Sequence, residues 1–188
     1  KSAAERWELF SGLPPEITSQ IVRAGFPAPQ LVLAIPEFKT DLPGGGAASQ
    51  SDIFCIIKSG SERIAATIEA KVAESFGETL GEWLASASTG KMKRIEYICE
   101  LLGVEGIPSI DLRYQLFHRS AAAVVEAQSF GFKNAAMIVH SFSATDQWIE
   151  DYQSFRCALG ANAALFEPAS ISLKAGIRLT LGWAKGAL

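Results

Sequence analysis

The chain has 188 residues, 48% of them hydrophobic and 20% charged, with a formal net charge of -3. This length builds one domain, spanning residues 1–188, with a substantial core. The slightly acidic balance excludes a broad basic surface for coating nucleic acid, but not a small local one. No apolar run approaches the roughly 20 residues that cross a bilayer, so no membrane partner is expected. The opening stretch, Lys1-Ser2-Ala3-Ala4-Glu5-Arg6-Trp7-Glu8, is charged and helix-like, unlike a signal peptide. Cys55, Cys99 and Cys157 sit in apolar periodic segments without CxxC spacing. Buried thiols in a reducing cytoplasm are therefore expected, rather than disulfides or zinc.

Residues 4–10 read as a helix. Gly12-Leu13-Pro14-Pro15-Glu16 starts a second one, with proline tolerated in its first turn and Gly25 as its stop. Leu31 to Ile35 is a short buried strand ending at Pro36. A flexible glycine-rich loop, Leu42 to Ser51, runs straight into Asp52. Two strands follow, roughly 52–58 and 62–72, around a turn at Lys58-Ser59-Gly60-Ser61. The stretch from Phe76 to Trp83 is glycine-interrupted and has no clear assignment; its position suggests a loop at the rim of whatever the second strand presents.

Thr89 can cap a helix that stops at Gly103, with Met92, Ile95, Cys99 and Leu102 on one face. A longer helix runs from about Asp111 to Phe130. Asn134 to His140 is a strand, with Ala135 to Val139 fully apolar. Ser143 can cap a helix carrying Trp148, Tyr152, Phe155 and Leu159 and ending at Gly160. Apolar residues alternate from Ile171 to Trp183, as one long strand or two strands broken near Gly176. A meander followed by a helical crossover to a further strand is an α/β fold with a mixed sheet.

The chemistry-bearing pattern lies in Thr67-Ile68-Glu69-Ala70-Lys71. Strand alternation puts Ile68, Ala70 and Val72 on one face and Thr67, Glu69 and Lys71 on the other. If the preceding strand pairs with this one as a hairpin, Asp52 lies near Glu69. Two carboxylates then sit beside an ammonium, and two carboxylates can hold a divalent cation. The ordinary alternative is a solvated strand face with a surface Glu–Lys pair. Asp52 at a strand start is equally an ordinary turn residue.

Helix, three-stranded meander, helix, strand, with Asp52 on the second strand and Glu69-x-Lys71 on the third, resembles the PD-(D/E)XK nuclease superfamily. The resemblance spans roughly 14–142. The tract from Ser49 to Trp83 and the helix Arg113-Tyr114-Gln115-Leu116-Phe117-His118-Arg119 look more specifically like an uncharacterised bacterial branch of it. Ser51 stands where the family motif has proline. The resemblance implies a restriction-endonuclease-like sheet flanked by helices, and hydrolysis of DNA or another nucleic acid assisted by Mg²⁺, with Mn²⁺ as substitute. It implies Asp52, Glu69 and the Ala70 carbonyl as metal ligands, and Lys71 near the nucleophile. It further implies Gln115 holding a metal-bound water or phosphate, and Arg119, with its neighbour His118, meeting substrate. A catalytically inactive binding or assembly protein of the same fold is the alternative, as is an unrelated α/β protein.

The remaining polar residues divide similarly. Gln115, His118 and Arg119, at i, i+3 and i+4, form either a site cluster or a polar helix face with Arg119 paired to Glu126. Glu16 is a further ligand or a complement to its helix dipole. His140, at the end of an apolar strand, reads as hydrogen-bonded structure. Lys91, Lys93 and Arg94 read as a solvated face that can touch a phosphate backbone. A two-fold dimer is expected, through the Trp148–Tyr152–Phe155 face if the core leaves it free.

Overall fold

The computed structural model describes Trp7 and residues 12–187; the helix expected at 4–10 otherwise lies outside the described residues. The elements in chain order are α1 (Pro15–Arg23), β1 (Gln30–Thr40), β2 (Ser49–Ser59), β3 (Glu62–Lys71), α2 (Leu80–Leu84), α3 (Thr89–Leu102), α4 (Tyr114–Ser129), β4 (Asn134–Ser141), α5 (Ile149–Ala158), β5 (Ala169–Ser172) and β6 (Arg178–Lys185). The six strands form a single sheet in the order β1-β2-β3-β4-β6-β5. β1/β2, β2/β3 and β5/β6 pair antiparallel, while β3/β4 and β4/β6 pair parallel. The tight turn at Gly60-Ser61 permits the β2–β3 hairpin; the parallel neighbours need the helical crossovers that supply α2–α5.

The alternation of β3 decides the layering. Ile64, Ala66 and Ile68 face Ile17, Ile21 and Trp7 on the α1 side. Ala65 joins Phe54, Val139 and Trp183 under α3, α4 and α5 on the other side. Both faces are covered, so α1, with only Ile17, Gln20 and Ile21 buried, is held by its two fully enclosed isoleucines. Each contributes roughly 1.5–3 kcal/mol by burial.

Several boundaries differ from expectation for identifiable reasons. β1 continues through Pro36 to Thr40, because at the sheet's edge a missing N–H costs no ladder bond. The stretch before α3 contains α2, closed by a capping box in which Thr79 and Glu82 exchange side-chain and backbone bonds. Ser88, not Thr89, caps α3, its hydroxyl accepting from the Lys91 N–H; Gly103 ends the helix in the left-handed conformation, as expected. Residues 109–112 turn, the Leu112 N–H donating to the Ser109 carbonyl, and Arg113 bridges to Thr79, so α4 starts only at Tyr114. Ser143 accepts from the N–H groups of Thr145 and Gln147, but α5 begins later, after Trp148 at φ 70°.

Tyr152 and Phe155 are consumed by the core and Trp148 packs against it, so the expected dimer face is not free. Cys55 and Cys99 are buried, but Cys157 is exposed, its thiol donating to Asn162 Oδ1 at 3.4 Å. Among the described residues, no helix is long and apolar enough to cross a membrane.

Candidate active site

Glu69 and Lys71 end β3, at the carboxyl edge of the parallel strands, a usual place for ligands in such sheets. They are not solvated. Glu69 is 3% exposed and Lys71 5%, because α4 lies over this face of the sheet. The strand's polar residues therefore have to be satisfied from α4. Thr67 Oγ1 donates to the Arg119 carbonyl at 3.0 Å. Glu69 Oε1 accepts from Lys71 Nζ at 3.0 Å and from Gln115 Nε2 at 2.7 Å. Its Oε2 accepts from Arg119 Nε at 2.6 Å. The spacing of Gln115 and Arg119 along α4 lets one carboxylate receive both. The alternative Arg119–Glu126 pair does not form; Glu126 accepts from Thr40 Oγ1 instead.

Asp52 stands at the end of the hairpin ladder, whose last pair is Ile53–Ile68. Its Oδ2 accepts from the Ala70 N–H at 2.7 Å, replacing the next backbone bond. The N–H and C=O of one strand residue point to the same neighbour, so the Ala70 carbonyl also faces the Asp52 side. Burial, then the charge of Glu69, pushes the Asp52 carboxyl up to about 6, against the pull of the Ala70 N–H, Lys71 and Arg119. The expected grouping of Asp52, Glu69, Ala70 and Lys71 is thus brought together with Gln115 and Arg119. Among the described residues, no three His, Cys, Asp or Glu side chains form a cage. Two carboxylates and a carbonyl are a sparse oxygen set, of the kind that suits Mg²⁺ retaining waters. One further polar atom fits that set: Gln115 Oε1 is buried without a protein partner.

Arg119 is not positioned as a free phosphate ligand. It is buried, and its Nη1 donates to Ser49 Oγ at 3.1 Å and approaches His118 Nδ1 at 3.3 Å. Its geometry is that of a clamp on Glu69. His118 is hydrogen-bonded to Ser49 Oγ at 2.8 Å and tilts against Tyr114 at 4.7 Å between ring centroids. Burial, then the charges of Arg119 and Arg94, brings its imidazole down to about 3. The folded state therefore resists protonating His118, whereas the unfolded chain binds that proton below about 6.5. Stability contributed by neutral His118 is present above 6.5 and is lost as pH falls towards 3. Between about 6 and 3.8 the raised carboxyl of Asp52 works in the opposite direction. We expect His118→Gln to flatten the acid limb of a urea-unfolding series relative to wild type. Parallel limbs in the two proteins would show that His118 is not held neutral.

Glu16 lies across the sheet from Glu69. It sits 2.8 Å from His140 Nε2, on the α1 side, so it does not join the Asp52–Glu69 set. Arg94 departs furthest from expectation. Instead of a solvated face, its buried guanidinium fills the loop before β2. Nε donates to the Pro43 carbonyl at 3.0 Å, Nη1 to Ala47 at 2.7 Å, and Nη2 to Leu42 at 3.0 Å and to Gly45. The loop read as flexible is thereby pinned to α3. The approach needs two glycines, since a Cβ on either Gly44 or Gly90 would fall onto the other's carbonyl oxygen. Helix propensity alone favours Gly90→Ala by about 1 kcal/mol. We expect the reverse, a loss of roughly 1–3 kcal/mol by thermal melting, because backbone must move. A stabilised variant would mean that the loop yields freely.

Sequence reasoning missed Ser49, which ties His118 to Arg119, and the stack of Trp83 on Tyr114 at 3.9 Å. The four-residue spacing of Tyr114 and His118 signals only their own tilted contact; nothing local in the sequence signals the Trp83 stack. A family model described as Domain of unknown function (DUF6946) matches residues 1–188. The chain belongs to that family. No curated protein and no solved structure matches it.

Proposed function

We propose that the protein is a divalent-cation-dependent phosphodiesterase of restriction-endonuclease-like architecture, acting on nucleic acid. The observation that carries this reading is the buried Glu69 carboxylate at the end of β3, beside both the Lys71 ammonium and the ladder-ending Asp52. The order of helix, antiparallel meander, helices and a parallel fourth strand supports it. Asp52, Glu69 and the Ala70 carbonyl would hold Mg²⁺ or Mn²⁺. When bound, such an ion lowers the pKa of a water and offsets charge on phosphate oxygens.

The chain's own residues do the rest. Arg119 holds one Glu69 oxygen and fixes the rotamer of the carboxylate. Gln115 donates to the other through its amide nitrogen, leaving Oε1 to accept a hydrogen bond from the attacking water. Lys71 supplies a positive charge next to that water and to the oxygens that gain charge in the transition state. The deciding experiment is cleavage of single-stranded and plasmid DNA by purified protein, with expected activity in Mg²⁺ or Mn²⁺ and none in EDTA.

Saturation of Glu69 by three donors, two of them cationic, favours a second reading. In that reading the cluster is a structural ion triad in an inactive binding protein of the same fold. Calorimetry separates the two: Mg²⁺ binding lost in Glu69→Gln supports the metal site, and absence of binding to wild type supports the triad.

A further inference from the structure

Beside the Glu69 site lies a cavity of about 390 Å³, within the range that holds a small organic molecule. Ser49 and His118 line one end, so the cavity wall is the same pair of side chains that hydrogen-bonds Arg119. Three features define its chemistry. No Asp or Glu lines it, although the chain as a whole carries a net charge of -3. Arg94 lines it with a buried guanidinium whose partners are four carbonyl oxygens and the Tyr114 hydroxyl, and among the described residues no carboxylate pairs with it. Buried charges ordinarily have a counter-ion, so Arg94 leaves a positive potential at this wall. Lys91 adds a second charge. Its Nζ donates to the Trp83 carbonyl and, at 2.8 Å, to Ser86 Oγ, and it lies 5.1 Å from the centre of the Trp83 ring, so the charge is fixed at the edge of the aromatic wall. The third feature is aromatic: Trp83 stacks on Tyr114, and Tyr114 tilts on His118, forming a continuous ring wall.

A small anion alone explains the cations but not the ring wall. An apolar ligand explains the wall but not two cations without a carboxylate. A molecule with a phosphate and a planar base satisfies both. We propose that this cavity seats a single unpaired nucleotide, its phosphate towards Lys91 and Arg94 and its base against the Trp83–Tyr114 wall. A base inside a duplex is paired and stacked and cannot enter without being extruded. The substrate is therefore a single strand or an unpaired end, with the nucleotide beside the scissile bond anchored here. This inference extends the phosphodiesterase reading, but the cavity's chemistry stands without it.

The test is binding of AMP to the full chain in EDTA, by calorimetry and tryptophan fluorescence, against inorganic phosphate and adenosine. AMP is expected to bind at least roughly tenfold more tightly than either fragment, since both halves of the site are engaged. Trp83→Phe should abolish the fluorescence change, and Lys91→Gln should weaken AMP roughly fivefold or more through loss of a charge-assisted contact. Oligothymidylate should compete with AMP, and a blunt duplex should not. Thermal melting shows whether the variants are folded, and the wild-type titrations carry the test without them. Phosphate binding as tightly as AMP would reduce the cavity to an anion site and overturn the proposal. So would no AMP binding, undiminished binding in folded Lys91→Gln, or equal competition by duplex. Because no metal is present, a failure of cleavage leaves this result intact, and active protein that ignores AMP removes the cavity without removing the catalyst.

Discussion

Glu69→Ala is expected to destabilise the protein by about 3–5 kcal/mol, the usual cost of removing one partner from a buried ion cluster. Glu69 is the acceptor for Lys71, Arg119 and Gln115, and both cations are almost fully enclosed. Removing it leaves two positive charges under α4 with no hydrogen-bonded carboxylate, only the nearby charge of Asp52, which is bound to the Ala70 N–H. Arg119 keeps its bond to Ser49 Oγ, which is neutral and offsets little of the loss. Glu69→Gln keeps the volume and one acceptor oxygen, so its cost should be smaller, roughly 1–3 kcal/mol. Urea unfolding with an unchanged m-value is the measurement. A loss below about 1 kcal/mol for Glu69→Ala would mean that Lys71 and Arg119 reach water in solution. The cluster would then be a surface feature, and a less attractive catalytic site.

The alternation of Ile68 and Ala70 against Thr67, Glu69 and Lys71 was enough to place β3 and its polar face, although Val72, expected on the apolar face, lies past the strand end and is exposed. It did not reveal that this face is buried, because burial depends on α4, whose polar positions are consistent with solvent or with a site. Gln115 and Arg119 resolve only when Glu69 is seen to need donors. Arg94 shows the opposite failure. Lys91, Lys93 and Arg94 lie close together at the start of α3, which locally resembles a solvated face. What draws Arg94 inward is a set of carbonyls more than forty residues earlier in the chain, and no local periodicity records that. The tract Gly44-Gly45-Gly46 read as freedom, yet its glycines serve close approach: Gly44 meets Gly90, and the Gly45 carbonyl meets Arg94. The alternation from Ile171 to Trp183 runs through Gly176 in one phase, so it allowed one long strand or two; the β5–β6 hairpin realises the second. The Trp148–Tyr152–Phe155 face was also correctly read as apolar; that it fills the core rather than an interface follows from how α5 docks.

Lys71→Ala should lower turnover by roughly two or more orders of magnitude while sparing metal affinity. The ammonium lies 3.0 Å from Glu69 Oε1 and 5.3 Å from the centre of the Phe76 ring, so it is held in place rather than sweeping through solvent. On the phosphodiesterase reading, a fixed charge there would assist the transition state without reorganising, and alanine would remove that assistance. Glu69 keeps Gln115 and Arg119 in the variant, so the carboxylate stays oriented and the fold survives. Glu69→Gln should do the converse and weaken binding of Mg²⁺ or Mn²⁺, since it removes a hard anionic ligand at nearly constant size. Ca²⁺ should bind wild type yet support little turnover, because its looser coordination acidifies and positions water less well. Single-turnover rates on Lys71→Ala and calorimetry on Glu69→Gln measure the two roles separately. Equal trace activity in wild type and Lys71→Ala would identify the cleavage as contamination, and the buried Glu69 cluster would then act as a structural triad alone.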